Sequence, residues 1–358
     1  MKKIIVFFCI FFLFPIKCLS ITDTSHASIV MDIDSGRILY QKNSNQEMLI
    51  ASTTKLMTFL ISLDNIGDRL DEKVIVGDEV LKMYGTNMYL NIKEEVTYRD
   101  LLYGLMLRSG NDASVVLAKN TVGDIDYFIE LMNSKAKEIG MINTKFNNPH
   151  GLDEETKNYS TAYDLAILTR YLYLNYPQYK EIVGSKYYDF KSNLKSYSLV
   201  NRCKIIFTYK YITSCKNGYT PKAGKSLVTT ASKNNLNVLI VTLDDSDIYD
   251  NHQRLYDYYF NNYKNTLILD KNNFYIPNIK DKYYLKNSLY YPLKNNELNN
   301  ISKKILLNKQ KDTLGKVQIY LKDNLIYEEI IYKQMSNKKE KIDIFSNFKN
   351  IIKNICIK

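Results

Sequence analysis

Hydrophobic and polar positions fall into blocks whose spacing changes along the chain. HASIVMDIDSGRILYQ reads as two short strands around Asp34-Ser35-Gly36, a hairpin signal. The next block, LIASTTKLMTFLISLDNI at residues 49–66, has an apolar body of Leu56, Met57, Phe59, Leu60, Ile61 and Leu63 and predicts a buried helix. VTYRDLLYGLMLRSGN, DASVVLAKN, DIDYFIELMNSKAKEIG and STAYDLAILTRYLYLNY then predict a helix-rich region, the last with Ser160 as N-cap. NVLIVTLDD is a continuous apolar run suited to a central strand. YDNHQRLYDYYFNNY, with apolar and aromatic positions three and four apart, predicts a closing helix. From 265 to 336, short segments such as VQIYLKDNLIYEEIIY alternate with Asn/Lys-rich turns and predict a small β-domain.

The two ends have a different texture. Lys2 and Lys3 precede the apolar run Ile4 to Phe14, and Cys18-Leu19-Ser20 offers a cleavage site, so residues 1–20 are expected to be a signal peptide of an exported protein. At residues 338–358, Ile344, Phe345, Phe348, Ile351, Ile352 and Ile355 gather on one helical face, with Lys341, Lys349 and Lys353 elsewhere. That stretch is too interrupted to span a bilayer and predicts an amphipathic helix lying on a membrane surface.

With 358 residues, the chain is long enough for two domains, or one large domain with an appendage. Removing Lys2, Lys3 and Lys17, with no acid among the first twenty residues, takes the net charge from +11 to +8. This favours anionic partners; export points to a membrane surface or a wall polymer and away from nucleic acid. Cys203, Cys215 and Cys356 remain after processing, an odd count that excludes a disulfide scaffold and leaves Cys203 and Cys215 either paired across a hairpin or free.

The chemistry begins with an anomaly. Lys55 stands on the first turn of its helix, where the dipole disfavours a cation, and Ser52 lies three residues before it on the same face. His26, His150 and His252 are isolated and lack metal-ligand spacing, so a zinc hydrolase or a Ser-His-Asp enzyme is poorly supported and neither metal nor cofactor is expected. A lysine can replace histidine as the base for a serine if burial, the dipole and a nearby cation make it neutral.

Two further stretches sharpen that reading. Arg108-Ser109-Gly110-Asn111-Asp112-Ala113 interrupts an apolar helix, and Lys216-Asn217-Gly218 lies in a predicted strand. In order and spacing the three resemble the S-x-x-K, S-x-N and K-T-G triplet of penicillin-recognising serine enzymes. The surrounding NTKFNNPHGLDEETKNYSTAYDLAILTRY, TSCKNGYTPKAGKSLVTTAS and SIVMDIDSGRILYQKN resemble the serine D-Ala-D-Ala carboxypeptidases, the low-molecular-mass penicillin-binding proteins of peptidase family S11, from about residue 27 to 263.

The resemblance implies an α/β (α+β) fold: a β-lactamase/transpeptidase-like domain over 21–264, with a central antiparallel sheet and a helical subdomain, then an all-β domain over 265–336. It implies that Ser52 attacks the penultimate D-Ala carbonyl of a peptidoglycan stem peptide, Lys55 takes its proton, Ser109 relays protons near Lys55 and Asn111 holds the substrate amide. Lys216, with Asn217, Gly218 and Tyr219, would bind substrate, the N–H groups of Ser52 and Tyr219 forming the oxyanion hole. β-Lactam antibiotics would acylate the same serine, on the outer face of the cytoplasmic membrane or in the wall. Two departures stand out: Asn217 replaces the usual threonine, and no arginine follows NVLIVTLDD, where the chain reads SDIYDN. Arg202 is the nearest alternative cation for the substrate carboxylate. The altered third motif keeps a non-catalytic peptidoglycan-binding protein in view. The E-x-x-x-N spacing from Glu154 to Asn158 similarly keeps a serine β-lactamase in view.

Overall fold

The computed structural model describes residues 22–280 and 282–334; the expected signal peptide and the expected C-terminal helix lie outside the described residues. The chain divides into two compact units between Tyr263 and Lys264.

The first unit is organised by a five-stranded antiparallel sheet. Its strands are β1 (Ser25–Asp32), β2 (Ile38–Lys42), β3 (Ile212–Thr220), β4 (Gly224–Lys233) and β5 (Leu236–Asp245), in the order β2-β1-β5-β4-β3. The apolar run of β5 follows from burial on both faces. Leu239, Val241 and Leu243 join the larger core on one face, while Leu236, Val238 and Ile240 join a second core on the other. β1 alternates in the same way, with Ala27, Ile29 and Met31 in the larger core and Val30 in the second.

Helices α1 (Lys55–Ile66), α2 (Tyr98–Tyr103), α3 (Asn111–Val122), α4 (Ile125–Glu138) and α5 (Ala162–Asn175) supply the larger core. Thr161, rather than Ser160, caps α5 by accepting from the Asp164 N–H at 3.0 Å. Ser160 is instead paired with Met48 in a two-residue strand, so its backbone is already committed. The second face is covered by α6 (Ile248–Asn262) through Leu255, Tyr256, Tyr259 and Phe260.

The second unit holds a four-stranded sheet in which Ile301–Leu307, Thr313–Leu321 and Asn324–Lys333 are successive antiparallel neighbours. Leu314, Val317, Ile319 and Ile331 lie in its own small core.

β3 is an edge strand, and a covalent link secures it. Cys203 and Cys215 are disulfide-bonded with Cα atoms 6.1 Å apart, which removes the free-thiol alternative. The bond fastens the residues next to Arg202 and Lys216. Closing a loop of this length restricts the unfolded chain by about 3 kcal/mol. The Cys203→Ala/Cys215→Ala double variant should therefore lower the unfolding free energy of the protein by that amount in urea titration; an unchanged midpoint would show that the link adds nothing to stability.

Candidate active site

The nucleophile turn is built from close approach and backbone strain. Residues Ala51–Thr54 form a 3-10 turn running directly into α1. Ala51 has φ +45, a left-handed conformation that costs a non-glycine residue on the order of 1–3 kcal/mol. Two glycines let neighbouring chain close in on this turn. A Cβ on Gly151 would lie 2.0 Å from the Ala51 carbonyl oxygen, and one on Gly218 would lie 3.0 Å from the Ser52 nitrogen. Gly218 thus brings the edge of β3 against the Ser52 N–H, with Tyr219 next in sequence and largely exposed.

Lys55 is fully buried, and its Nζ has three oxygen neighbours: Ser52 Oγ at 3.0 Å, Asn111 Oδ1 at 2.7 Å and the His150 carbonyl at 2.6 Å. The Asn111 orientation is fixed because its Nδ2 donates to the Tyr84 carbonyl at 2.7 Å. Asn111 Oδ1 and His150 O can only accept. A neutral amine has two N–H groups, which these two acceptors saturate, so its lone pair is left facing the Ser52 hydroxyl. Burial first, and then the Lys216 charge, holds the Lys55 pKa well below that of an ordinary lysine, with Asp112 partly opposing.

Lys216 is also buried. Its Nζ donates to Ser109 Oγ at 3.0 Å and to the Asn217 carbonyl at 2.6 Å. Burial and the Arg202 charge push its pKa down to about 7. Ser109, in a left-handed conformation (φ +61), therefore bonds to Lys216, and the hydrogen bonds of Lys55 go elsewhere. Arg202 is exposed and donates to Thr86 Oγ1 at 3.1 Å.

A family model of D-alanyl-D-alanine carboxypeptidases, peptidase S11, matches residues 19–247. The chain belongs to this family. It is 37% identical to D-alanyl-D-alanine carboxypeptidase DacF of Bacillus subtilis over 225 residues, 62% of this chain and 57% of that protein. It is 31% identical to DacA of Haemophilus influenzae, again over 62% of this chain and 57% of the relative. The match thus spans little more than half the length of these curated relatives. Among solved structures, penicillin-binding protein 5 of Haemophilus influenzae shares the fold with a TM-score of 0.74 at 24% identity, covering 87% of this chain and 97% of that one. A D-alanyl-D-alanine carboxypeptidase from Mycobacterium tuberculosis gives 0.64 at 29% identity, over 69% and 95%.

Of the residues that the sequence singles out, the structure gathers Ser52, Lys55, Ser109, Asn111, Lys216, Asn217, Gly218 and Arg202 around one site in this S11 chain. Asn158 and Glu154 serve other ends. Asn158 accepts from the Asn147 N–H at 2.7 Å and donates to Thr54 Oγ1 at 3.0 Å, which makes it a loop strut, while Glu154 pairs with the Tyr84 hydroxyl. Two residues escaped sequence reasoning. The main-chain carbonyl of His150 has no side-chain signature. Tyr249, in the SDIYDN segment, brings its hydroxyl beside Asn217 and Arg202 from α6, and only its place after β5 marks it.

The depressed Lys216 pKa has a consequence for stability. The unfolded chain holds this proton up to about 10.4, and the folded protein only up to about 7, so unfolding takes up a proton between those values. Wild-type stability relative to Lys216→Met should therefore rise with pH across that window, by at most about 1.4 kcal/mol per unit. Urea titrations at pH 7 and 9 check it; a pH-independent difference would mean that Lys216 titrates as an ordinary lysine.

Proposed function

We propose that the protein is a serine D-Ala-D-Ala carboxypeptidase that removes the terminal D-Ala from peptidoglycan stem peptides through an acyl-enzyme on Ser52. The observation that carries the reading is the pairing at Lys55: its Nζ lies 3.0 Å from Ser52 Oγ, 2.7 Å from Asn111 Oδ1 and 2.6 Å from the His150 carbonyl, so that in its neutral form two obligate acceptors take its N–H groups and the lone pair is free for the Ser52 proton. Ser52 Oγ attacks the penultimate carbonyl as Lys55 accepts its proton. The tetrahedral oxyanion is stabilised by main-chain N–H groups of Ser52 and Tyr219, a device whose single donors are worth about 3–4 kcal/mol. Collapse expels D-Ala as the nitrogen regains a proton through Lys55, and water then hydrolyses the ester. Lys216, while protonated, attracts the substrate carboxylate together with Arg202. Asn217 offers amide donors where a hydroxyl is usual, and its contact with Tyr249 restricts how that amide turns.

Export is supported by the sequence of residues 1–20 and by the Cys203–Cys215 disulfide, a bond that persists in oxidising compartments. Residues 338–358 are proposed to hold the enzyme on the membrane surface, on the strength of their amphipathic pattern.

Fluorescent penicillin tests all of this in one preparation. The mature protein should carry a stable adduct on Ser52, located by peptide mapping and sedimenting with anionic vesicles. Lys55→Arg should lose the adduct while remaining folded, because a guanidinium does not deprotonate. Rapid turnover of the adduct would favour a β-lactamase, and no adduct a non-catalytic binder. Equal sedimentation of a chain ending at Asn337 would remove the anchor.

A further inference from the structure

The helix break that carries Ser109 and the sheet edge that carries Lys216 are joined by a closed circuit of contacts, and one of its links is covalent. At the break, the Leu107 carbonyl accepts from the Arg202 N–H at 3.0 Å. The next residue, Cys203, is bonded to Cys215 of β3. The residue after Cys215 is Lys216, whose Nζ returns to Ser109 Oγ at 3.0 Å. Alternation along β3 lets the link sit here without entering the site. Cys215 turns into the second core with Cys203, Leu227 and Tyr256, whereas Lys216 faces the catalytic groups. Both cysteines are 1% exposed.

The bond lies where little else holds these two segments together. β3 is an edge strand whose ladder runs only to β4. The segment before Cys203 is anchored away from it, with the Asn201 N–H donating to the Lys186 carbonyl and Asn201 Nδ2 to the Ser185 carbonyl, both at 2.9 Å. Among the described residues, no hydrogen bond runs directly from residues 201–204 to β3. The Tyr249 hydroxyl touches both sides without a covalent tie, lying 3.5 Å from the Arg202 carbonyl and beside Asn217.

Lys216 is the group that such a link controls. A protonated Nζ has three N–H donors, and two are taken by Ser109 Oγ and the Asn217 carbonyl. The third is left for an incoming anion, and its direction depends on where the strand edge meets the helix break. We propose that the Cys203–Cys215 disulfide is a positioning element for substrate recognition: by fixing β3 to the segment anchored on Leu107, it aims the third donor of Lys216 and so sets the preference for a free C-terminal carboxylate. Neither cysteine touches a reacting atom; both act through Lys216. The inference rests on the carboxypeptidase reading for what occupies the site.

Two peptides ending in D-Ala-D-Ala test it, one with a free C-terminal carboxylate and one with a carboxamide. Wild type should prefer the acid. In Cys203→Ser, Cys215→Ser and the double alanine variant that preference should fall by about tenfold, the cost of one misplaced charge-assisted hydrogen bond. The loss should appear in KM for the acid, with kcat/KM for the amide within about twofold of wild type. Met132→Ala, which opens the larger core at α4, controls for lost stability and should keep the wild-type preference. No preference in wild type, a preference that survives in the three cysteine variants, or an equal fall in Met132→Ala would overturn the positioning role. Binding separates this from the catalytic reading: in Ser52→Ala, calorimetric affinities should favour the acid peptide, and replacing the cysteines as well should shrink the difference. A wild type that releases no D-Ala and forms no penicillin adduct would overturn the carboxypeptidase reading. The same shrinkage in Ser52→Ala would then still support the positioning role, and its absence would overturn it.

Discussion

The site depends on one constraint: an amine with no exposed surface must be held in the interior, where its charge is disfavoured. An isolated ammonium there is costly, and the least costly outcome is loss of the proton. The protein then has to satisfy a neutral amine, which needs two acceptors and one donor. Asn111 and the main chain at His150 supply the acceptors, and Ser52 is the donor left over. The other features of the site serve this arrangement. Gly151 allows the 148–152 segment to press against the Ala51 turn, the Tyr84 carbonyl locks the Asn111 amide, and the strained Ala51 backbone leads into the turn that carries Ser52.

A second lysine gives the pocket its electrostatic gradient. Lys216 arrives on the sheet edge from β3, opposite Val228 of β4, and its own pKa is depressed by burial and by Arg202. Each cation therefore lowers the next, from Arg202 to Lys216 to Lys55, while Asp112 pulls the other way on Lys55. Asp112 is also tied into the fold, accepting from the N–H groups of Met88 at 2.9 Å and Leu90 at 3.1 Å. The same buried carboxylate thus shapes the 88–90 loop and tempers the base, which links the shape of the groove to its protonation state.

Much of this was legible in the sequence because the chemistry resides in local motifs. Ser52 and Lys55 are one helical turn apart, and Ser109 and Asn111 share a break in an apolar helix, so their order and spacing carry the resemblance to penicillin-recognising serine enzymes that nominates them. The long apolar runs were equally legible: NVLIVTLDD is β5, and the three-and-four pattern of YDNHQRLYDYYFNNY is α6. Contacts made by main-chain atoms were hidden, since any residue type carries a carbonyl; His150 offered no reason to suspect its role. The bond from Lys216 to Ser109 also lay beyond reach, because it depends on how a sheet edge meets a helix break 107 residues away in sequence. The α5 cap moved by one residue, to Thr161, because strand pairing claimed Ser160. The Cys203–Cys215 bond was undecided for a similar reason: spacing gives a loop length, whereas distance comes only from the fold.

The central claim is that burial beside another cation holds the Lys55 pKa well below that of an ordinary lysine. NMR titration of the Lys55 side chain, assigned by comparison with Lys55→Arg, measures this without reference to any substrate. The account predicts a pKa far below the ordinary lysine value, and a rise in that pKa when Lys216→Met removes the neighbouring charge. A Lys55 that stays protonated to about pH 10, as an unperturbed lysine does, would contradict the account.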